Sequence, residues 1–593
     1  MRLPAVVYAA LVLVAVPTAA GASPAYNDLQ LLAKDLTFTT SRLHPMQATA
    51  LGIAGYDGQL EVPSEQSRSA EIALIVSWQN RLAKIDSDNQ GAMTLVERDD
   101  AELLAAQLTG QLRQFTVYEA DRKDYAAAAN SVVGAIFTQF QHLPIAGQRG
   151  ATPADVVRAW GDITSRLSKA PAYIVAANAM VTHPGHLQGI TGSQELAGVP
   201  DFFDGPLTDA AKAQIPAADF ARFTAARDRA LVAISTTKKY IDAHVARWPE
   251  NFAIGRSAYD AMLHDEQLLP VDANDVERMG NDELSHGWGV QMWLDHLSKQ
   301  SGVPFGPQSG GGLAPGGPAL ISYYRDRIAE LRHYVVANDV VTVPSWLGQI
   351  QVVETPKFLQ PVSPGASMNP PRLFSPETDG FYYITPPTSL ADAAKRLDAN
   401  EDFDRDRIWS TGAHEAMPGH FLQLSIAKRN PDFVRKIQGS GVFAEGWAFY
   451  GEEMFVQLGM YGNDLDGRMY TAQWERVRGA RAVIDAKLAT GEWSYRRASD
   501  YFAQQAGFTK GAADAEVAGI ALNPGYVIAY TVGRSQLELL ESQYLLKEGA
   551  KASMLDFHDR LLCYGTTPLA IVGPELMADL SKPLSQVRAA ARY

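Results

Sequence analysis

The chain holds a single cysteine, Cys563, among 593 residues. An intramolecular disulfide is excluded, so stability must come from a packed core rather than from covalent staples. Its context, "RLLCYGTT", is that of a buried packing residue and not of a nucleophile. Long basic runs are missing as well. With a formal charge of −14, the chain lacks the phosphate-neutralising stripe that a nucleic-acid partner requires, and none is expected. The acidity is spread along the sequence, which favours solubility and only slightly biases partners toward cations. A membrane-spanning run is also lacking. The N-terminal apolar stretch from Ala5 to Val16 falls short of the ~20 residues a span needs. With Arg2 before it and Ala20-Gly21-Ala22 after it, this segment reads as a secretory signal peptide cleaved near Ala22, ahead of Ser23. Export to the periplasm or the medium is expected, without stable membrane insertion. No cysteine stands beside the cleavage site, so lipid attachment there is not expected. No fixed-period repeat is visible.

What is present is an ordinary globular composition, 46% hydrophobic and 20% charged. Ala-rich stretches with apolar residues at helical spacing run from Asp99 to Phe115, Pro153 to Ala170 and Ala217 to His244. The Pro/Gly-rich stretch Phe305 to Leu320 marks a flexible break. Two segments differ from their surroundings: "VTVPSWLGQIQVVETPKFL" and "DGFYYITPP" are rich in β-branched and aromatic residues. They predict a small sheet, with Pro356, Pro386 and Pro387 at strand ends or edges. After Asp402 the pattern is helical to the end. The fold class is mainly α, with a small β-sheet beside the helix discussed next.

That helix contains "HEAMPGH", His414 to His420. Zinc hydrolases need three protein ligands, an open position and a general base. In H-E-x-x-H one helical face supplies two histidines, and the Glu between them reaches the attacking water. Residues i and i+4 lie about 40° apart on a helix, whereas i and i+6 lie about 120° apart. His414 and His420 therefore cannot converge from a regular helix. Pro418 cannot donate to the His414 carbonyl, and Gly419 is free to take unusual backbone angles. A two-residue bulge at 416 to 419 would carry His420 to the metal; the competing account is a helix that stops at Pro418 with exposed histidines. A third ligand is sought in "FAEGWAFYGEEM". Glu445 and Glu452 are seven residues apart, about 20° from overlap. Two carboxylates on an apolar, aromatic face need a reason, and metal ligation by one with support from the other supplies it. A salt-bridged structural pair is the alternative. "HPGH" (His183 to His186) lacks the Glu and sits in a Pro/Gly loop, and "HDE" (His264 to Glu266) is a chance cluster.

The spacing is similar to that of helical zinc peptidases of the thimet oligopeptidase and carboxypeptidase Taq types, whose third ligand follows the first His by about 29–30 residues. Glu445 lies 31 residues beyond His414 (445 minus 414), and 29 once the two surplus residues are discounted. That selects Glu445 over Glu452. More closely, the chain resembles the bacterial "domain of unknown function 885" family. The shared features are HExxPGHxxQ (His414 to Gln423), EGWAxYxE (Glu445 to Glu452), a block with Arg481, Asp485 and Trp493, the N-terminal "HPMQATALGIAGYDGQL" and the "VTVP" before the sheet. A His common before the Trp of that block is replaced here by "DAKLATGEWS".

The resemblance implies a helical gluzincin-like metallopeptidase with one zinc ion on His414, His420 and Glu445, Glu415 as general base, and Glu452 behind the ligands. It also implies a deep channel suited to short peptides. Residues 23–340 would form an N-terminal helical wall and 341–593 the catalytic region, after a signal peptide at 1–22. Tyr530 and Tyr526, in "NPGYVIAYTVGRSQ", are four apart and resemble the G-Y-x-x-x-Y segment of the same peptidases. Oxyanion stabilisation is expected of them, against the alternative of core packing. Arg534, one turn beyond Tyr530, is a candidate for a peptide carboxylate, with Arg481 as a second, although Arg481 could pair with Asp485. The "GFYYIT" segment, with Tyr382, is a candidate edge for substrate strand pairing. A hydrolase of non-peptide amides or esters, or a non-catalytic peptide-binding relative, remains an alternative, as do manganese and cobalt. The sequence leaves cleavage position and oligomeric state open.

Overall fold

The structure, a computed structural model, describes residues 23–147, 151–303, 314–315, 318–357, 366–386, 405–462 and 464–593. The signal-peptide segment and most of the Phe305–Leu320 stretch lie outside these residues. Helices dominate. The helix Ala217–His244 has the bounds its periodicity predicts, and Pro153–Met180 runs past its predicted end. The latter starts cleanly because Thr152 and Asp155 cap each other's backbone N–H and Pro153 fills the first turn. The two helices pack through an edge-on contact between Trp160 and Phe223. The third predicted helix, Leu95–Arg113, begins earlier than expected and passes into a wider turn over Gln114–Tyr118.

A three-stranded sheet lies between two cores. Strand β1 (Ile350–Glu354) pairs in parallel with β3 (Gly380–Ile384), and β2 (Ser367–Asn369) pairs antiparallel on its other side. Strand alternation explains the arrangement, because successive side chains face opposite ways. Val352 and Tyr382, register partners, enter the core built around the helices Arg405–Glu415, His420–Ala427 and Gly441–Gln457. Val353 and Tyr383, the next pair, face the core of the N-terminal helices. Strand β2 lies outside the two predicted strand segments, since Ser-Met-Asn carries no strand signal.

Two pairs of long helices pack side by side, the first of them joining the N-terminal and C-terminal parts. Ala273–Ser301 lies along Leu465–Ala489, and Gly441–Gln457 along Ile528–Glu548. The second pair approaches closely at Gly446 and Gly533. A Cβ on Gly533 would sit 2.1 Å from the Val442 carbonyl oxygen, so only glycine fits. Cys563 is buried among Val587 and Ala591, and burial pushes its thiol up to about 12, as an inert packing residue requires.

Candidate metal centre

The centre is built around a broken helix. Arg405–Glu415 ends at the first half of the motif and His420–Ala427 begins at its second half. Between them the Met417–Pro418 peptide is cis. The backbone hydrogen bonds record the surplus residues. Gly419 N–H donates to the Ala413 carbonyl (2.9 Å) and Leu422 N–H to that of Ala416 (3.4 Å), each six residues back instead of four. The expected bulge is thus a full break with one short helix on each side. Glycine at 419 is obligatory, because a Cβ there would lie 1.8 Å from the His414 carbonyl oxygen. The freed Pro418 carbonyl accepts the indole N–H of the fully buried Trp447 (2.8 Å). Gln423 closes the motif by donating to Thr566 (2.8 Å).

This break brings both imidazoles to one place. His414 Nε2 and His420 Nε2 each lie 3.2 Å from Glu445 Oε2. Among the described residues these three side chains form the one cluster with metal-ligand geometry. Ligand atoms around a tetrahedral ion at about 2.0–2.1 Å stand about 3.3 Å apart, so the spacing suits a small divalent cation. Glu445 Oε2 is buried and has no hydrogen-bond partner, a costly condition that a cation relieves. Two imidazoles and one carboxylate are a zinc-type donor set. The residues present fit the metal.

Behind the ligands stands Glu452. Its carboxylate accepts His414 Nδ1 at 2.7 Å, which leaves Nε2 facing Glu445. Arg478 donates to both of its oxygens (2.6 and 3.0 Å), and Ser410 donates at 3.4 Å. Arg478 is not among the residues the sequence singles out. The signal was there: a carboxylate as buried as Glu452 demands a cation, and Arg478 lies three residues before Arg481 in the same block.

Electrostatics follow from this crowding. Burial opposes charge on Glu445, yet the two imidazoles hold its carboxyl well below the usual range. Burial likewise opposes a proton on His414, but Glu445 and Glu452 push it up to about 9. Those are the protons a bound cation displaces. Glu415 is buried beside the ligands, and burial pushes its carboxyl up despite the two imidazoles.

Tyr526 donates to Glu445 Oε1 (2.7 Å) and is 49% exposed. Tyr530 meets it edge-on, lies 5.9 Å from the His414 ring, and has the Arg478 and Arg481 guanidiniums over its face. Both tyrosines are therefore at the centre. A cavity of about 940 Å³ opens beside Tyr526, lined also by Tyr118, Lys123, Asn251, Gln267 and Val442; the His–His–Glu side chains themselves do not line it. Asp485 holds the Tyr526 turn: it accepts the Gly525 N–H at 2.9 Å and the Tyr259 hydroxyl at 2.7 Å. Burial pushes it up to about 7 against these donors.

The other sequence candidates fall elsewhere. Tyr382 is 0% exposed and packs edge-on against Tyr324, so it is a core residue and not a substrate contact. Its strand β3 is central, which leaves "GFYYIT" no edge for strand pairing. Arg534 is buried and held by Glu283 and Glu453 at 2.7 Å each, so it is committed internally. Arg481 pairs with Glu516 (2.7 Å), not with Asp485. Trp493 packs against Tyr501. In "HPGH", the His186 ring bonds the Val245 carbonyl, and Glu266 of "HDE" bonds Arg113 and Tyr118.

Fold and site together define a mainly helical protein with a buried His–His–Glu centre. The model of the family described as "Bacterial protein of unknown function (DUF885)" matches residues 45–287 and 294–576, and the chain belongs to that family. No curated protein matches it. A solved structure described as a putative lipoprotein of unknown function from Shewanella oneidensis is 19% identical, with a TM-score of 0.70. A putative lipoprotein from Colwellia psychrerythraea is 18% identical, with a TM-score of 0.75. Each alignment covers 94% of this chain and 100% of that one, and shows a shared fold. A Pyrococcus furiosus carboxypeptidase aligns over 96% of this chain and 99% of that one, at 11% identity and a TM-score of 0.38, a likeness too slight to build on. No helix of the described residues is long and apolar enough to cross a membrane.

Proposed function

We propose that this protein is an exported zinc-dependent peptidase acting on short peptides. The observation that carries the reading is the convergence of His414, His420 and the partnerless Glu445 oxygen beside the buried Glu415. A bound zinc ion supplies Lewis-acid polarisation of a carbonyl and acidifies water. The chain's own residues do the rest. Glu415 takes the proton of the attacking water and delivers it to the leaving amine; its raised affinity for protons suits that shuttle. Glu452 and Arg478 fix the His414 tautomer and ring orientation. Tyr526 orients Glu445 from the cavity wall, and the Tyr530 hydroxyl is the donor we assign to the developing negative charge. The cavity of about 940 Å³ beside Tyr526 is of a size for a few peptide residues.

The decisive experiment combines metal analysis with a panel of short peptides and matched esters, run with and without chelator. About one zinc per chain is expected in both the wild type and Glu415→Ala, with peptide hydrolysis in the wild type alone. Hydrolysis of the esters alone would move the assignment to a non-peptide hydrolase. Full zinc loss without any change in hydrolysis would sink the metal-dependent reading.

A further inference from the structure

A second cavity, of about 510 Å³, lies among the loop Pro371–Thr378, the end of the His420 helix and the C-terminal residues. Four cationic side chains line it: Lys428, Arg429, Lys436 and Arg592. They come from three separate segments of a chain whose formal charge is −14. No carboxylate forms an ion pair with any of the four among the described residues, although most other arginines are paired, as at Arg534, Arg435 and Arg478. Lys428 and Arg429 donate instead to the backbone carbonyls of Glu377 and Arg592. The single carboxylate in the lining, Glu377, is taken by His142 (2.9 Å) and Arg372 (3.1 Å).

Helix ends attract cations, and Lys428 and Arg429 follow directly on the helix His420–Ala427. Lys436 ends the helix Phe433–Lys436 and Arg592 caps Leu584–Ala591, so a helix end accounts for each cation singly but not for the meeting of three such ends at one pocket. The repulsion is felt. Burial, together with Lys436, Arg372 and Arg429, pushes the Lys428 ammonium down to about 8 in spite of Glu377. Burial and the guanidiniums of Arg592 and Arg429 lower Lys436.

The rest of the lining has the character of a binding site. Ser425 is 2% exposed and its hydroxyl has no hydrogen-bond partner; the Trp346 indole N–H is likewise buried and without one. Arg429 stacks over Trp346 at 4.4 Å, and Lys436 approaches Phe374 at 5.5 Å, so aromatic faces hold two of the cations in place. Leu373, Phe374 and Pro376 add an apolar wall.

We infer that this pocket binds a phosphate group borne on a small molecule or a lipid headgroup. A multiply charged phosphate accepts from several cations at once, where a single carboxylate accepts from one or two. It relieves the mutual repulsion of all four, and the volume beyond the phosphate accommodates an apolar part of the ligand.

The test uses the purified full chain. Calorimetry measures binding of inorganic pyrophosphate, and flotation measures binding to vesicles of phosphatidylglycerol against phosphatidylcholine. Saturable binding of pyrophosphate is expected, weakened about tenfold or more in the double variant Lys436→Gln/Arg592→Gln. Arg429→Gln, an exposed single change, should weaken it in the same direction. A second readout does not depend on the ligand's identity. Without ligand, Lys436→Gln should raise the melting temperature, because it removes repulsion; pyrophosphate should then raise it less than in the wild type. Binding to phosphatidylglycerol vesicles alone, lost in the double variant, would keep the inference and assign the phosphate to lipid. Absence of binding to both probes, or binding that the double variant leaves unchanged, would overturn it.

Discussion

Two buried charge centres of this chain differ in the kind of cation that faces the carboxylate. At the first, Arg435 donates to Asp100 at 2.9 Å and to both oxygens of Glu575 at 2.6 and 2.7 Å. It ties the helix Leu95–Arg113 to Leu569–Asp579; both Glu575 oxygens are taken, while Asp100 Oδ2 is buried without a hydrogen-bond partner. At the second, a single Glu445 oxygen has both imidazole Nε2 atoms at 3.2 Å and makes no well-directed hydrogen bond to either. Both bury carboxylates at a similar desolvation cost. At the first the facing cation is a guanidinium that keeps its proton, whereas at the second it is a pair of imidazoles that can give theirs up. A buried carboxylate faced by a permanent guanidinium has a structural role, whereas one oxygen faced by two imidazoles is part of a donor set that a metal ion can take over.

The largest effects should separate the two centres. Glu415→Gln should cut kcat/KM on a peptide substrate by about 10²–10⁴-fold while zinc content and melting temperature stay as in the wild type. Equal loss of zinc would show Glu415 to be a structural member of the centre. Arg435→Met should do the reverse. It leaves Asp100 and Glu575 unpaired and should destabilise by about 3–5 kcal/mol, as read by urea unfolding, while the folded fraction keeps its zinc and its kcat. A kcat falling in step with stability would mean that the two centres are coupled.

Much of the second centre is legible in the amino-acid sequence, and little of the first. His414, His420 and Glu445 announce themselves because metal chemistry restricts residue type and spacing, and Pro418 and Gly419 mark where regular helix fails. The fold class follows from periodicity, as in Ala217–His244. Long-range pairing carries no such local mark. Nothing near Arg435 names Asp100, more than three hundred residues away, and nothing near Arg481 prefers Glu516 to Asp485. The same limit misassigns Arg534 and Tyr382: position on a helix or strand is readable, but not which neighbours bury that face. Arg478 is the intermediate case, inferable from the need of Glu452 but not locatable by it.

A smaller effect should come from the residues behind the ligands. Glu452→Gln keeps the volume but removes the charge that orients His414 and leaves Arg478 unpaired. Zinc affinity, measured by chelator competition, should fall about 10–100-fold, with kcat at saturating zinc reduced less than in Glu415→Gln. Unchanged affinity would show that the His414 ring is held by packing alone, and the contrast between the two centres would rest on Glu445 only.

The smallest effect tests whether the contrast grades with exposure. Glu377 is matched internally, like Glu575, but its side chain is 22% exposed. Burial raises its carboxyl, but His142 and Arg372 outweigh burial and hold it at about 2. A carboxylate depressed in the folded state adds stability above its ordinary value of 4.5, and that contribution is lost as pH falls from there toward 2. Glu377→Gln should therefore destabilise by about 1 kcal/mol at pH 6, the solvent-screened range of such pairs. The gap between variant and wild type should close as pH falls through that window. A gap that stays constant with pH would mean that the substitution acts through packing, and that only fully buried pairs such as Arg435 with Glu575 hold this fold together by charge.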